Sequence, residues 1–221
     1  MSDPHNHQYS HIGGTTSELL DRFAVSEICK GWTVYRDASE WANYRSLFTD
    51  DAYTIDDFIQ LSIQGKTTAG AHIMHRECGT LVELSPQNGR AVGKMKAVIT
   101  QRFAHPEGFE YDVDCDCRFV FFCERVCAPG GHDWRAAFVK LVYEKDRLVP
   151  VDGVKVPYFA DEVLERYPAG YRYLGAAQNT LGYEIDRGLV TGEDSKACEV
   201  MYRNIERWLD EPTFCRSFHP E

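Results

Sequence analysis

At 221 residues, 43% hydrophobic and 13% aromatic, the chain has material for one well-buried core, and its length demands no second domain. Its 34 acidic residues outnumber 24 basic ones, a formal net charge of −10 that excludes the basic face a nucleic-acid partner requires. No run approaches the ~20 apolar residues of a membrane helix, and no glycine-rich phosphate loop or nucleophile elbow is present.

Residues 1–16 are polar and carry His5, His7 and His11 without any apolar period, so they read as a flexible tail and not as a signal peptide. The eight cysteines are then expected to stay reduced, in a cytoplasmic setting. From Ser17, a plausible N-cap, apolar residues recur at three- and four-residue spacing: Leu19, Leu20, Phe23, Ala24, Ile28, Trp32 and Tyr35 predict a long helix. Ala38-Ser39 breaks it, and residues 40–48 predict a second short helix. Ala52–Ile55 and Phe58–Ile63 read as two short strands, followed by a Gln64-Gly65 turn. Thr67–Leu84 reads as a helix that carries His75, with Ala71, Met74, Cys78 and Leu81 on one side.

The second half is strand-rich. Ala91–Phe103, Phe109–Val126 and Trp134–Tyr143 are long strand candidates whose separators, Pro106-Glu107-Gly108 and Ala128-Pro129-Gly130-Gly131, are hairpin chemistry. Ser195–Leu209 predicts a closing helix with Val200, Met201, Ile205 and Trp208 on one face. Helices followed by a long antiparallel sheet make an α+β fold, and a strongly bent sheet around helices leaves a cone-shaped cavity for a small molecule.

Alternation from Tyr111 to Phe121 places Tyr111, Val113, Cys115, Cys117 and Phe119 on one face and Asp112, Asp114, Asp116 and Arg118 on the other. The charged row reads either as a solvent-facing surface of ion pairs or as substrate contacts inside the cone, with Lys96 beside them. Three carboxylates at this spacing span roughly 13 Å, too far for one metal ion. The cysteines lack CxxC spacing and histidine companions, so no metal is expected. Cys78 and His75 leave a thiol–imidazole pair conceivable.

The run Tyr35-Arg36-Asp37-Ala38-Ser39-Glu40-Trp41, then Leu47-Phe48-Thr49-Asp50-Asp51-Ala52, resembles the opening of SnoaL-like proteins of the nuclear-transport-factor-2-like superfamily. His75 to Thr80 resembles the histidine–glycine–threonine segment of scytalone dehydratase in that superfamily. The resemblance covers residues 17–150 and implies a cone-shaped α+β barrel, with residues 151–221 as a C-terminal extension packed on the same domain. It implies a cofactor-independent lyase or isomerase, a dehydratase or cyclase of secondary metabolism. The general base would be His75, oriented by Asp37, and the substrate a small aromatic, polyketide-like or terpenoid-like molecule. Substrate contacts would come from Tyr35, Tyr53, Val98, Thr100, Asp116 and Arg118. Thr100 stands where the dehydratase carries a second histidine, and Arg36 where a tyrosine is expected. The resemblance also implies a homodimer or homotrimer. The same fold serves non-catalytic partner subunits and small-molecule binding modules, which remain the alternative.

Overall fold

The computed structural model describes residues 13–52, 54–68 and 72–214. A 23-residue helix, α1 (Thr16–Ala38), carries the long apolar stripe. Its N-cap is Thr15 and not Ser17, two residues earlier than expected. Glu18 then falls at the third helical position, where its carboxylate accepts the Thr15 amide at 2.7 Å and closes a capping box. Val25, Ile28, Cys29, Trp32 and Arg36 are buried along one side of α1. The helix ends where Ser39 turns left-handed at φ 62°, and α2 (Trp41–Ser46) follows.

Two expectations fail in the middle of the chain. Residues 52–63 do not form paired strands: α3 (Ile55–Thr68) runs through them and through the expected Gln64-Gly65 turn. Ile55 and Ile59, four apart, are both buried, and Asp56 and Asp57 sit in the first turn, where carboxylates favour a helix N-terminus. Conversely, the expected helix from residue 67 to 84 gives way to a strand, β1 (His72–Ser85), in which Val82 and Leu84 face the core two residues apart. His75 is therefore a strand residue.

β1 pairs antiparallel with β2 (Arg90–Ala104), which pairs with β3 (Glu110–Ala128), which pairs with β4 (Gly131–Pro150), in the sheet order β1-β2-β3-β4. The inner face of β2 and β3 carries Ala91, Met95, Ala97, Ile99 and Phe103, and Tyr111, Val113, Cys115, Cys117, Phe119 and Phe121. Helix α1 lies across this face. The outer face carries Val92, Val120, Phe122 and Val142 under α6 (Ser195–Asp210), and elsewhere the charged row. β4 bulges at two places: the register against β3 skips Ala137 and Glu144.

α1 packs tightly on the sheet at Gly93, where a Cβ would intrude on Cys29 Sγ. Gly93→Ala is expected to cost about 1–3 kcal/mol in urea denaturation, and adding Cys29→Ala to recover part of it. A neutral Gly93→Ala would show that the helix can back away.

After β4 the chain passes α4 (Asp161–Leu164) and then seats α5 (Arg172–Thr180) on the inner face, with Leu174, Ala176 and Ala177 buried in the main core. Asp146, on β4, accepts the Leu174 amide at 2.7 Å at the start of α5. Burial pushes the Asp146 carboxyl up to about 6 against the pull of that hydrogen bond, and its Oδ1 has no partner among the described residues. A carboxyl raised in the fold stabilises below its unfolded pKa, and the contribution is lost as pH rises through about 6. Asp146→Asn is thus expected to gain about 1 kcal/mol at pH ~8 and nothing at pH ~4, in denaturation at both pH values.

Candidate functional site

The C-terminal end of α1 and the start of β1 meet at one carboxylate. Asp37 Oδ1 lies 2.8 Å from His75 Nδ1, and Asp37 Oδ2 accepts the His75 backbone N–H at 2.5 Å. β1 is an edge strand, so this second bond satisfies an amide that no neighbouring strand reaches. The clamp fixes both the imidazole and the strand that carries it. The side chain of His75 is 4% exposed and that of Asp37 20%.

The surroundings set the protonation states. Burial is the main force on the His75 imidazole and lowers its pKa; the Asp37 hydrogen bond opposes this, and the Arg36 charge adds to the lowering. Burial would raise the Asp37 carboxyl, but the hydrogen bonds and charge of His75, with the Arg36 charge, outweigh it and leave the group below its usual range. At neutral pH the pair is a neutral imidazole donating from Nδ1 to a carboxylate, which directs the lone pair to Nε2.

Three neighbours complete the setting. The Trp32 ring meets the imidazole edge-on, with centroids 4.9 Å apart, and Phe119 lies at 6.2 Å. The Arg36 guanidinium is 3.4 Å from Asp37 Oδ1 and buried, and its Nε has no hydrogen-bond partner among the described residues. Lys66 of α3 donates to the Asp37 carbonyl at 2.7 Å, the Arg36 carbonyl at 3.2 Å and Ser39 Oγ at 2.8 Å. It closes the C-terminal end of α1 with a positive charge, which complements the helix dipole. Burial lowers the Lys66 ammonium.

A cavity of about 260 Å³ lies along β4, walled by Trp32, Tyr44, Phe48, Phe58 and Leu141. Trp32 is the wall it shares with the imidazole. Asp37 and His75 are absent from the described lining, so the pair sits one aromatic ring away from that space.

The other expected site residues do not gather here. Val98, Thr100, Asp116 and Arg118 lie on the outer face, as does Lys96. The β2–β3 register runs without a bulge from Arg90 to Ala104, so strict alternation puts them opposite Ala97 and Ile99. Thr100 donates to Asp114 at 2.5 Å, and Asp114 also takes Arg76 and Arg147. Asp112 pairs with Arg102, Asp116 with Lys145 and Arg118 with Glu144. The charged row is thus an ion-paired outer surface. Tyr35 lines a separate groove with Gly31, Leu47 and Trp134. Tyr53 lies outside the described residues. Cys78 is exposed at the β1 bulge, where its Sγ contacts the Arg76 carbonyl at 3.5 Å. From sequence, Trp32 reads only as part of a helix face and Arg36 only as a departure from the family pattern, and Lys66 does not read as a site residue. The i, i+4 spacing of Trp32 and Arg36 along the buried side of α1 is the signal that carries them.

The SnoaL-like domain family matches residues 17–140. The chain is 40% identical over 213 residues to pea pathogenicity protein 2 of Fusarium vanettenii, covering 89% of each protein. It is 38% identical over 208 residues to a PEP2-like protein of the same organism, covering 87% of each. Among solved structures, a function-unknown protein from Mycobacterium tuberculosis matches 77% of this chain and 96% of its own, at 14% identity and a TM-score of 0.46. With a helix-lined, bent antiparallel sheet and a family match spanning most of it, the chain belongs to the SnoaL-like family of the nuclear-transport-factor-2-like superfamily.

Proposed function

We propose that the protein is a cofactor-independent lyase or isomerase in which His75 abstracts a proton from a small aromatic, polyketide-like or terpenoid-like substrate. The observation that carries this reading is the two-point grip of Asp37 on His75. A carboxylate that accepts from Nδ1 holds the imidazole in the tautomer whose Nε2 is basic, and it stabilises the imidazolium formed when a proton arrives. Arg36 is assigned the oxyanion: a cation next to the pair, with a buried donor that has no partner among the described residues, would stabilise the enolate left behind. Dehydration, ring closure and double-bond migration all begin from that step.

A second reading, a binding module without chemistry, draws support from the separation between the 260 Å³ cavity and the imidazole. One experiment divides them. A panel of aromatic and polyketide-like ketones is incubated with the protein in deuterated water, and exchange next to the carbonyl is followed by NMR. The enzyme reading expects exchange by the wild type that His75→Ala abolishes. Exchange that survives in His75→Ala sinks it, and binding without exchange favours the module.

A further inference from the structure

The outer face holds a pocket that the proposed chemistry does not use. Its volume is about 470 Å³, within the roughly 300–1,000 Å³ of small-molecule sites. The C-terminal half of α6 is pressed to the sheet by Ile205, Trp208 and Leu209, all buried. The N-terminal half, with Cys198, Met201 and Tyr202, roofs an apolar space floored by Val120 and Val142 of the outer face. Gly79 opens one side: with φ at 134° and no side chain, it leaves room where a Cβ would meet nothing within 4 Å.

Cations collect at this pocket. Lys94, Lys96 and Arg118 all line it. Lys94 is paired with Glu83 at 2.6 Å, and Arg118 with Glu144 and, through Nη1 at 3.2 Å, with Tyr202 Oη. Lys96 pairs with no carboxylate among the described residues, and its directly opposed neighbour across β2 and β3 is Arg118. Two like charges facing each other across adjacent strands are unfavourable by themselves. Glu144 answers the charge of Arg118, so Lys96 is the cation beside the apolar pocket left for an anionic group to meet.

We infer that this pocket is a second binding site, for an amphipathic carboxylate whose hydrocarbon part lies beneath α6 and whose head group meets Lys96 beside Arg118. The pocket and His75 lie on opposite faces of the sheet, so the inference stands apart from the proposed proton transfer. Burying the chain supplies most of the affinity, and the cation pair selects the charged head over a neutral one.

The test is calorimetric titration of the full-length protein with decanoate and with 1-decanol. Two variants carry the same change in net charge: Lys96→Glu at the pocket, and Lys30→Glu on α1, which packs on the other face. Lys96 is exposed, and the Lys30 side chain is 44% exposed beside Glu27, so neither change empties the core, and urea denaturation of both variants confirms that they fold. The expected result is one decanoate bound to the wild type and to Lys30→Glu, with about tenfold weaker binding to Lys96→Glu, and a preference for decanoate over the alcohol in the wild type of about the same size. Absence of decanoate binding to the wild type overturns the proposal, as does equal binding to the two variants. Equal affinity for the alcohol removes the role given to the charge and overturns it as well.

Discussion

Trp208→Ala is expected to lower the unfolding free energy by about 3–5 kcal/mol, the range for emptying a buried tryptophan site. The indole is fully buried between Phe122 and Phe138, which meet it edge-on with centroids 5.8 and 5.4 Å away. The Arg90 guanidinium covers its ring at 3.7 Å. Its N–H donates to the Ala91 carbonyl at 3.1 Å and the Cys123 carbonyl at 3.2 Å, and these two residues are partners across β2 and β3. One side chain thus fills the space beneath α6 and ties the helix to two strands. Trp208→Phe separates the contributions: most of the apolar contact stays while the donor is lost, so its cost is expected at about 1–2 kcal/mol. Urea denaturation of both variants is the measurement. A loss below about 1 kcal/mol in the alanine variant would mean that α6 holds its place without the indole.

The second large effect concerns the proton-transfer proposal. Asp37 uses both oxygens as acceptors, one for the His75 ring and one for the His75 backbone amide. An asparagine has a single acceptor oxygen. If that oxygen keeps the backbone amide, its NH₂ faces Nδ1 and forces the proton to Nε2, the wrong tautomer for a base at that atom. In the opposite orientation the edge amide of β1 is left without its partner. Either way the imidazolium loses its counter-charge. Turnover of Asp37→Asn is expected to fall by about 10²–10⁴-fold.

The pH profile adds a readout that a purely structural role would not move. The base must be neutral, so kcat/KM rises with pH through the His75 pKa, which burial holds below the ordinary histidine value. Asp37 opposes that lowering, so removing its charge shifts the acid limb to still lower pH. An Asp37→Asn variant with full turnover and an unmoved limb would dismiss the dyad.

The reach of sequence reasoning differed from element to element. α1, β2, β3 and α6 were readable because each runs long enough for its period to be unambiguous and because proline–glycine turns separate the strands. β4 was readable only from Trp134 to Tyr143, although it runs from Gly131 to Pro150, because the bulge at Glu144 breaks the alternation there. The segment from residue 52 to 85 was not. Ile55, Phe58, Ile59 and Ile63 are β-branched or aromatic, residues that favour strands on propensity, yet their spacing closes a helical face. In β1 the run His72 to Leu81 is mostly exposed, so there is little apolar alternation to betray a strand. Asp37 and His75 could be joined only through family resemblance, because they stand 38 positions apart with two helices between them. The same resemblance misplaced Val98 and Thr100, where simple alternation pointed to the outer face. Contact across a fold was legible only by analogy, and facing only from the pattern.

The two bulges of β4 bear on how the protein tolerates changes of length. At each one, neighbouring residues share the outer face: Ala137 with Phe138, both in the outer cluster, and Glu144 with Lys145, which reach Arg118 and Asp116. Removing one residue at such a place would restore ordinary alternation and leave Trp134, Tyr143 and Asp146 on the face they already occupy. The strand would straighten, and the wall it forms would tilt outward. An insertion or deletion anywhere else in β4 would exchange inside for outside along the rest of the strand. The curvature of the cone is therefore written as surplus chain on its convex side, and divergence can open or close the wall at those two positions without rewriting the core.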